Sequence, residues 1–430
     1  MENSRTLSRH DPLPRAPGAA VGLWIAHHEQ ASLVGQWLPV GERPLELGRG
    51  MPVGLEVLDD PRLSKRHARI ERVGDSLQVV DLQSRNGTWV GGRQVEAAPL
   101  PVGQLLRVGD VLLIADRGGE SGPQHPRILG VSPAIREVLR QIAQVAPHEA
   151  TVLILGEPGT GKELVAREIH RLSGARGRFV ALNCAGVGDP VLHSELFGHT
   201  RGAFTGAVGE RAGLVREAEQ GTLLFDEIGD ASPSFQSSLL RLLQAGEARP
   251  VGSDRFAQAA VRFVAATNRD LDVAVLSGAF RADLRSRLEQ WVIRVPPLRS
   301  RPIDIAVLFH RLARARAGEG LRVDPALVER LLAWDWPGNV REVEATVTRL
   351  AITHSPGQRW EDGSSLPTSR QAPLPAPAPR LDRDQLCAVL ERHGGNVRAA
   401  AQELGIGRNT LYRRAHELEL DLTTFRKGRS

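Results

Sequence analysis

Lysine is almost absent from this chain: Lys65, Lys162 and Lys427 are the three among 55 basic residues. Arginine supplies positive charge wherever charge alone is needed, so a retained lysine marks chemistry that a planar guanidinium cannot do. Lys427, in the tail, carries no such reading. Cysteine is as scarce, and Cys184 and Cys387 lie far apart in segments of different texture. That excludes a disulfide framework and a cysteine metal site, and fits reduced thiols in a cytoplasm. No apolar run approaches the roughly 18 residues of a membrane span. Met1 to Ala20 carries Arg, Asp and Pro where a signal peptide has an apolar core. A cytoplasmic protein without a membrane partner is therefore expected. Hydrophobic residues at 41% and charged residues at 24% exclude global disorder and fibrous repeats. The 430 residues predict several domains, and a net charge of +5 permits nucleic-acid binding without requiring it.

Three textures follow one another along the chain. Short alternating segments cut by Gly and Pro, among them Ala68, Ile70, Arg72 and then Leu77, Val79, Asp81, with a Gly91-Gly92 turn, predict an all-β sandwich over residues 22–118. After a polar break, residues 126–355 alternate apolar strands with helical periodicity, the pattern of α/β with a parallel sheet. Residues 356–379 hold six prolines and read as a polyproline II tether of about 3.1 Å per residue. Residues 380–424 have helical periodicity broken at Gly394-Gly395 and Gly405, which predicts three short helices.

In the α/β segment, Gly156-Glu157-Pro158-Gly159-Thr160-Gly161-Lys162 follows the apolar run Thr151 to Leu155 and opens a helix, the setting a phosphate-binding loop requires. The glycines let backbone N–H groups turn inward around phosphates, and the helix N-terminus adds its partial positive charge. Lys162, the sole lysine of this segment, is the point charge for the β- and γ-phosphates of ATP. Glu163 stands where such loops commonly place Ser or Thr for Mg²⁺, so metal binding must lean on other carboxylates. Gly221 to Phe225 is a buried-strand run ending in two acids: Asp226, suited to hold Mg²⁺ through water, and Glu227, suited to polarise the attacking water.

Between these two motifs lies Gly202-Ala203-Phe204-Thr205-Gly206-Ala207. With it, the segment from about Pro126 to Thr353 resembles the ATPase domain of the bacterial sigma-54-dependent activators, the enhancer-binding branch of the AAA+ ATPases. The resemblance implies that Phe204 and Thr205, on a loop flanked by glycines, contact sigma-54. It implies a switch role for Asn183, which couples Glu227 to the nucleotide, and a first sensor at Thr267-Asn268. Within Phe280 to Leu288 it implies that Arg281 and Arg287 act on ATP bound by a neighbouring subunit. In Trp336-Pro337-Gly338-Asn339-Val340-Arg341-Glu342 it makes Arg341 the second sensor, reporting nucleotide to a helical lid. Sites shared between subunits imply a ring, a hexamer by this resemblance.

Leu47-Gly48-Arg49, Ser64-Lys65-Arg66-His67 and Asp81 to Thr88 resemble, in order and spacing, the forkhead-associated (FHA) domain, a sandwich that binds phosphothreonine. Arg49, Ser64 and Arg85 offer donors to a phosphate, Asn86 can bracket the peptide backbone, and Lys65 or Arg66 adds a further contact. His67 reads as a buried structural histidine. Gly395 to Arg414 resembles the Fis-type helix-turn-helix, with Asn396 capping the first helix of the pair and Gly405 in the turn. Leu411, Ala415 and Leu418 pack its second helix; Arg408 is placed for a guanine edge, Asn409 faces DNA, and Thr410, Arg413 and Arg414 fit phosphates. Paired subunits on an inverted repeat are expected. The sequence thus predicts a multidomain sigma-54-dependent transcription activator: an FHA sandwich, an ATPase with helical lid, and an all-α DNA reader. The intact GAFTGA argues against a regulator that works without sigma-54, and the DNA-reading tail against a AAA+ remodelling chaperone.

Overall fold

The computed structural model describes residues 20–74, 76–119, 125–203, 209–253, 257–258, 260–355, 357–361, 383–394, 397–404, 411, 418 and 420. The N-terminal sandwich has one sheet of six strands in the order Trp37–Val40, Val21–His27, Val111–Arg117, Leu105–Val108, Thr88–Val90 and Arg93–Val95. Its other sheet has four, Ala97–Leu100, Ser76–Asp81, Ala68–Val73 and Leu45–Leu47. Every pairing within them is antiparallel. Gly91 and Gly92 turn the hairpin at φ 54° and 79°, the double positive φ of a type I′ turn.

The strand Val21–His27 is buried along its whole length. Leu23 and Ile25 enter the sandwich core with Ile70, Val79 and Leu106. The alternate residues Trp24 and Ala26, with Trp37, Leu112 and Ile114, join a second core whose other half comes from the lid, including Ile303, Val307, Leu327 and Leu331. The sandwich and the lid therefore share one continuous apolar interior.

The ATPase sheet is all parallel, β1 (Val152–Leu155), β2 (Phe179–Asn183), β3 (Thr222–Asp226), β4 (Arg262–Thr267) and β5 (Trp291–Arg294), in the order β2-β3-β4-β1-β5. Its strands alternate between two cores: Leu153, Leu223, Phe225 and Ala265 feed one face, Val152, Ile154, Leu224 and Val264 the other. Burial on both faces explains why these strands read as unbroken apolar runs. Helices α1 (Pro133–Val145) and α2 (Lys162–Ser173) flank the sheet, and α3 (Pro302–Ala317), α4 (Pro325–Ala333) and α5 (Asn339–Thr353) build the lid.

The lid continues beyond residue 355, where the sequence suggested that the tether starts. Trp360 is 2% exposed, its N–H donates to Arg322 O at 2.8 Å, and its carbonyl accepts from Asp324 N–H at 2.8 Å. One buried indole outweighs the local turn composition. In the C-terminal region, helices Arg383–Arg392 and Val397–Glu403 bury Leu386, Leu390, Val397 and Ala400 around Leu411, with Leu418 packed against them. Asn396, Gly405, Arg408, Asn409, Thr410, Arg413, Ala415 and Arg414 lie outside the described residues. No helix among the described residues is long and apolar enough to cross a membrane.

Polar contacts pin the sandwich to the lid. His27 Nδ1 and His310 Nε2 share a hydrogen bond of 3.1 Å, with the rings stacked at 5.1 Å. Arg314 Nη2 donates to Glu29 O at 3.0 Å, and Arg107 pairs with Glu329 at 3.3 Å. Burial, reinforced by His28, Arg359, Arg314 and Arg107, pushes His27 down to about 3. Burial, with His27 and Arg314, also depresses His310 well below its ordinary value. Both rings are neutral when docked, and an unfolded histidine titrates near 6.5. Their contribution is thus complete above pH 6.5 and is lost as the pH falls below it, for His27 down to about 3, at up to about 1.4 kcal/mol per pH unit. Thermal melts of the full chain at pH 7.5 and 5.5 are expected to show a larger acid-induced drop for wild type than for the double variant His27→Leu/His310→Leu. Equal drops would remove the histidine pair as the cause.

Candidate functional site

The candidate nucleotide residues converge at the carboxyl end of the parallel sheet, where α/β folds of this kind bind ligands. β1 runs into the phosphate loop, β3 ends at Asp226, β4 ends at Thr267, and Asn183 is in register with Asp226 on the neighbouring strand. Lys162 is 7% exposed, and its Nζ donates to Gly156 O at 3.0 Å and to Glu227 Oε1 at 3.1 Å. Glu227 Oε2 accepts from Asn268 N–H at 3.1 Å. Glu227 sits at φ 51°, a left-handed conformation that few non-glycine residues adopt and that strain at a working site often explains.

Asp226 is half-buried beside this cluster. Burial and then the Glu227 carboxylate raise its pKa, with Lys162 opposing. Two neighbouring acids with one ammonium between them are short of positive charge, which fits a divalent cation held by Asp226. The adjacent thiol of Cys184 is pushed up to about 12 by burial, so it stays protonated and is no nucleophile.

Two candidates point elsewhere. Asn183 Oδ1 accepts from Ala185 N–H at 2.8 Å rather than engaging Glu227. Glu163 faces outward and pairs with Arg167 one turn along α2 at 2.7 Å. Thr160 Oγ1 donates to Glu157 O at 2.8 Å, which closes the loop on itself. Arg281 is exposed and bonded by Asp283 at 2.7 and 3.0 Å just before the short helix Ala282–Leu288, on which Arg287 is exposed. Among the described residues neither is bonded to Lys162, Asp226 or Glu227 of its own chain.

The sequence pointed to Arg341 as the lid's sensor, yet the closest bonds to the phosphate loop come from its neighbours. Asn339 is fully buried at φ 52°. Its Oδ1 accepts from Leu298 N–H at 2.7 Å, and its Nδ2 donates to Pro158 O at 3.1 Å and Glu157 Oε2 at 3.2 Å. Arg299 grips the same Glu157 with two bonds of 2.5 and 2.7 Å, and these partners hold its carboxyl below the usual range. Val340 N–H donates to Gly159 O at 3.0 Å. Gly159 has φ 76°, and a Cβ there would lie 2.2 Å from Gly338 O and 3.3 Å from the Arg341 Cβ. Only glycine lets the lid approach this closely. Arg341 is exposed, with its root beside the loop. The sequence signal for Asn339 is an asparagine between Gly338 and a helix, a residue that tolerates positive φ.

A two-stranded neck, Gly198–His199 paired with Arg211–Ala212, brackets the GAFTGA segment in the chain. Gly202 and Ala203 lie on it; Phe204, Thr205, Gly206 and Ala207 lie outside the described residues. On the sandwich, three loops are stitched together: Arg49 N–H donates to Ser64 O at 2.9 Å and Arg85 N–H to Ser64 Oγ at 3.1 Å. Arg49, Lys65 and Arg85 are exposed around the half-buried Ser64, and Asn86 Nδ2 donates to Arg62 O at 2.6 Å. Of the two alternatives for a further contact, Arg66 is engaged by Glu46 at 2.9 and 3.0 Å, which leaves Lys65. His67 is fully buried, accepting from Ser64 N–H through Nδ1 and bonded to Gly87 O through Nε2.

A phosphate loop, an acidic strand end and a helical lid on a 2-3-4-1-5 parallel sheet define a AAA+ nucleotide-binding fold. Family models match in chain order: the FHA domain over residues 46–113, the sigma-54 interaction domain over 128–294, the AAA+ ATPase lid domain over 299–373, and the bacterial regulatory protein, Fis family, over 378–418. The Nif-specific regulatory protein of Azotobacter vinelandii is 43% identical over 310 residues, 69% of this chain and 59% of that protein. The transcriptional regulatory protein ZraR of Escherichia coli K12 is 43% identical over 296 residues, 66% of this chain and 67% of that protein. A crystal structure of NtrX from Brucella abortus in complex with ATP has 30% identity and a TM-score of 0.52, covering 69% of this chain and 70% of that one. The chain thus spans about three fifths to two thirds of the curated relatives' length. It belongs to the family of AAA+ sigma-54-dependent transcription regulators.

Proposed function

We propose that this protein binds DNA upstream of a promoter, assembles into a hexameric ATPase ring, and uses ATP hydrolysis to remodel sigma-54 RNA polymerase into the open complex, gated by phosphothreonine recognition. The observation that carries this reading is the Lys162, Asp226 and Glu227 cluster beneath a lid bonded to the phosphate loop. ATP phosphates would take Lys162 from Glu227 and lie against the backbone N–H groups of residues 156–162. Glu227, released from that ion pair, then accepts a proton from the water that attacks the γ-phosphorus as the β–γ bond breaks. Asn183, in register with Asp226 on the neighbouring strand, would turn from its own loop to Glu227 when nucleotide binds and so couple that carboxylate to the state of the nucleotide. Asn268 and Arg341 sense the nucleotide from the sheet and the lid. Asp226 would hold Mg²⁺, which supplies charge to the phosphates. Phe204 and Thr205, which fall between the two strands of the neck in sequence, carry the force to sigma-54.

Arg281 and Arg287 are exposed, which suits groups that serve the neighbouring subunit's ATP. ATPase activity per chain is therefore expected to rise with protein concentration, and Arg281→Ala to cost about 10³ to 10⁵ in rate. Mixing Arg281→Ala with Glu227→Gln, each inactive alone, restores part of the rate, because intact sites then meet intact arginines. A concentration-independent rate from monomers overturns the ring. For the sandwich, Arg49, Ser64, Arg85 and Lys65 surround a phosphate-sized position with Asn86 beside it. A phosphothreonine peptide is expected to bind the full chain and to lose affinity at least tenfold with Arg49→Ala; unchanged affinity would rule out this site.

A further inference from the structure

A cleft of about 450 Å³ lies where the sandwich meets the lid, between Ala31 to Val34, which follow the strand Val21–His27, and the face of α3 that carries Val307, His310, Arg311 and Arg314. It belongs neither to the nucleotide site nor to the phosphothreonine loops. Arg314 is 8% exposed. One of its nitrogens reaches Glu29 O, its Nε has no partner, and among the described residues no carboxylate lies within ion-pair distance of it. Glu319 acts on it only from beyond ion-pair distance, so the guanidinium has no bonded counter-ion at this junction. His310, 3% exposed, also lines the cleft, and its Nδ1 is buried without a partner. In the tautomer where His27 Nδ1 donates to His310 Nε2, His310 carries its own proton on Nδ1, a second donor without a partner, and an anion in the cleft selects that tautomer. Arg311 adds a further cation at the exposed rim, against the single acid Glu319.

We propose that this cleft binds a small organic anion bearing phosphate or carboxylate groups, held by Arg314, His310 and Arg311. Its volume suits a metabolite rather than a peptide, and its donors match oxyanions. The ligand would bridge sandwich and lid, and α3 packs on α5, whose first residues touch the phosphate loop. Occupancy would thereby fix how the sandwich is seated on the moving part of the ATPase.

The test is calorimetric titration of the full chain, with ADP saturating the nucleotide site, using citrate as the carboxylate probe and glycerol 2-phosphate as the phosphate probe. Binding of either probe is expected, weakened at least tenfold by Arg314→Met and by Arg311→Glu, and retained in the Arg49→Ala chain, in which the phosphothreonine loops no longer compete for phosphate; the probe that binds identifies the oxyanion. Arg311 is exposed, so Arg311→Glu decides the matter if Arg314→Met fails to fold. No binding of either probe, binding that both cleft variants retain in full, or binding lost with Arg49→Ala would overturn the proposal.

Discussion

The side-chain amide of Asn339 ties the three working parts of the ATPase together. It accepts from the backbone of Leu298, at the end of the sheet, and donates to Pro158 and Glu157 of the phosphate loop, while its own backbone starts lid helix α5. An amide is suited to this, having one acceptor and two donors in a fixed plane. The next residue closes the contact, Val340 N–H to Gly159 O. Any rearrangement of the phosphate loop therefore shifts the base of the lid. This is a physical connection through bonded atoms, of the kind that coupling between sites requires.

From the lid the connection continues outward. Helix α3 packs on α5, and its other side shares an apolar core with the six-stranded sheet of the sandwich. A sandwich tethered only by a linker could signal to the ATPase just by raising its local concentration. One that contributes Trp24, Trp37 and Ile114 to the lid's own interior can act by its position. The neutral histidine pair and Arg314, which has no bonded counter-ion, are costly buried polar groups at this seam, which makes it the natural place for the two parts to separate or to be locked.

Much of this was legible in the sequence, for local reasons. The phosphate loop, the two acids ending a buried strand, the loops around Ser64 and the hairpin glycines are short motifs whose chemistry dictates their residues. The strand Val21–His27, buried along its whole length, departs from the alternation expected of the sandwich. What covers its second face was not legible, because the partners on α3 and α4 lie nearly 300 residues away and no local pattern names them. The buried Trp360 was hidden by the turn and proline composition around it. The state of the switch was hidden too: Glu227 bonds to Lys162 and Asn268, and Asn183 to its own loop, an outcome of three-dimensional competition among bonds that spacing does not encode.

The central claim is that ATP turnover at the Lys162, Asp226 and Glu227 cluster drives sigma-54 polymerase open through the GAFTGA loop. The most direct measurement is open-complex formation on a sigma-54 promoter, with purified polymerase and this protein, with ATP or a non-hydrolysable analogue. Open complexes should form with ATP, fail with the analogue, and fail with Thr205→Ala even though that variant still hydrolyses ATP. Open complexes that form with the analogue, or that are undiminished by Thr205→Ala, would contradict it.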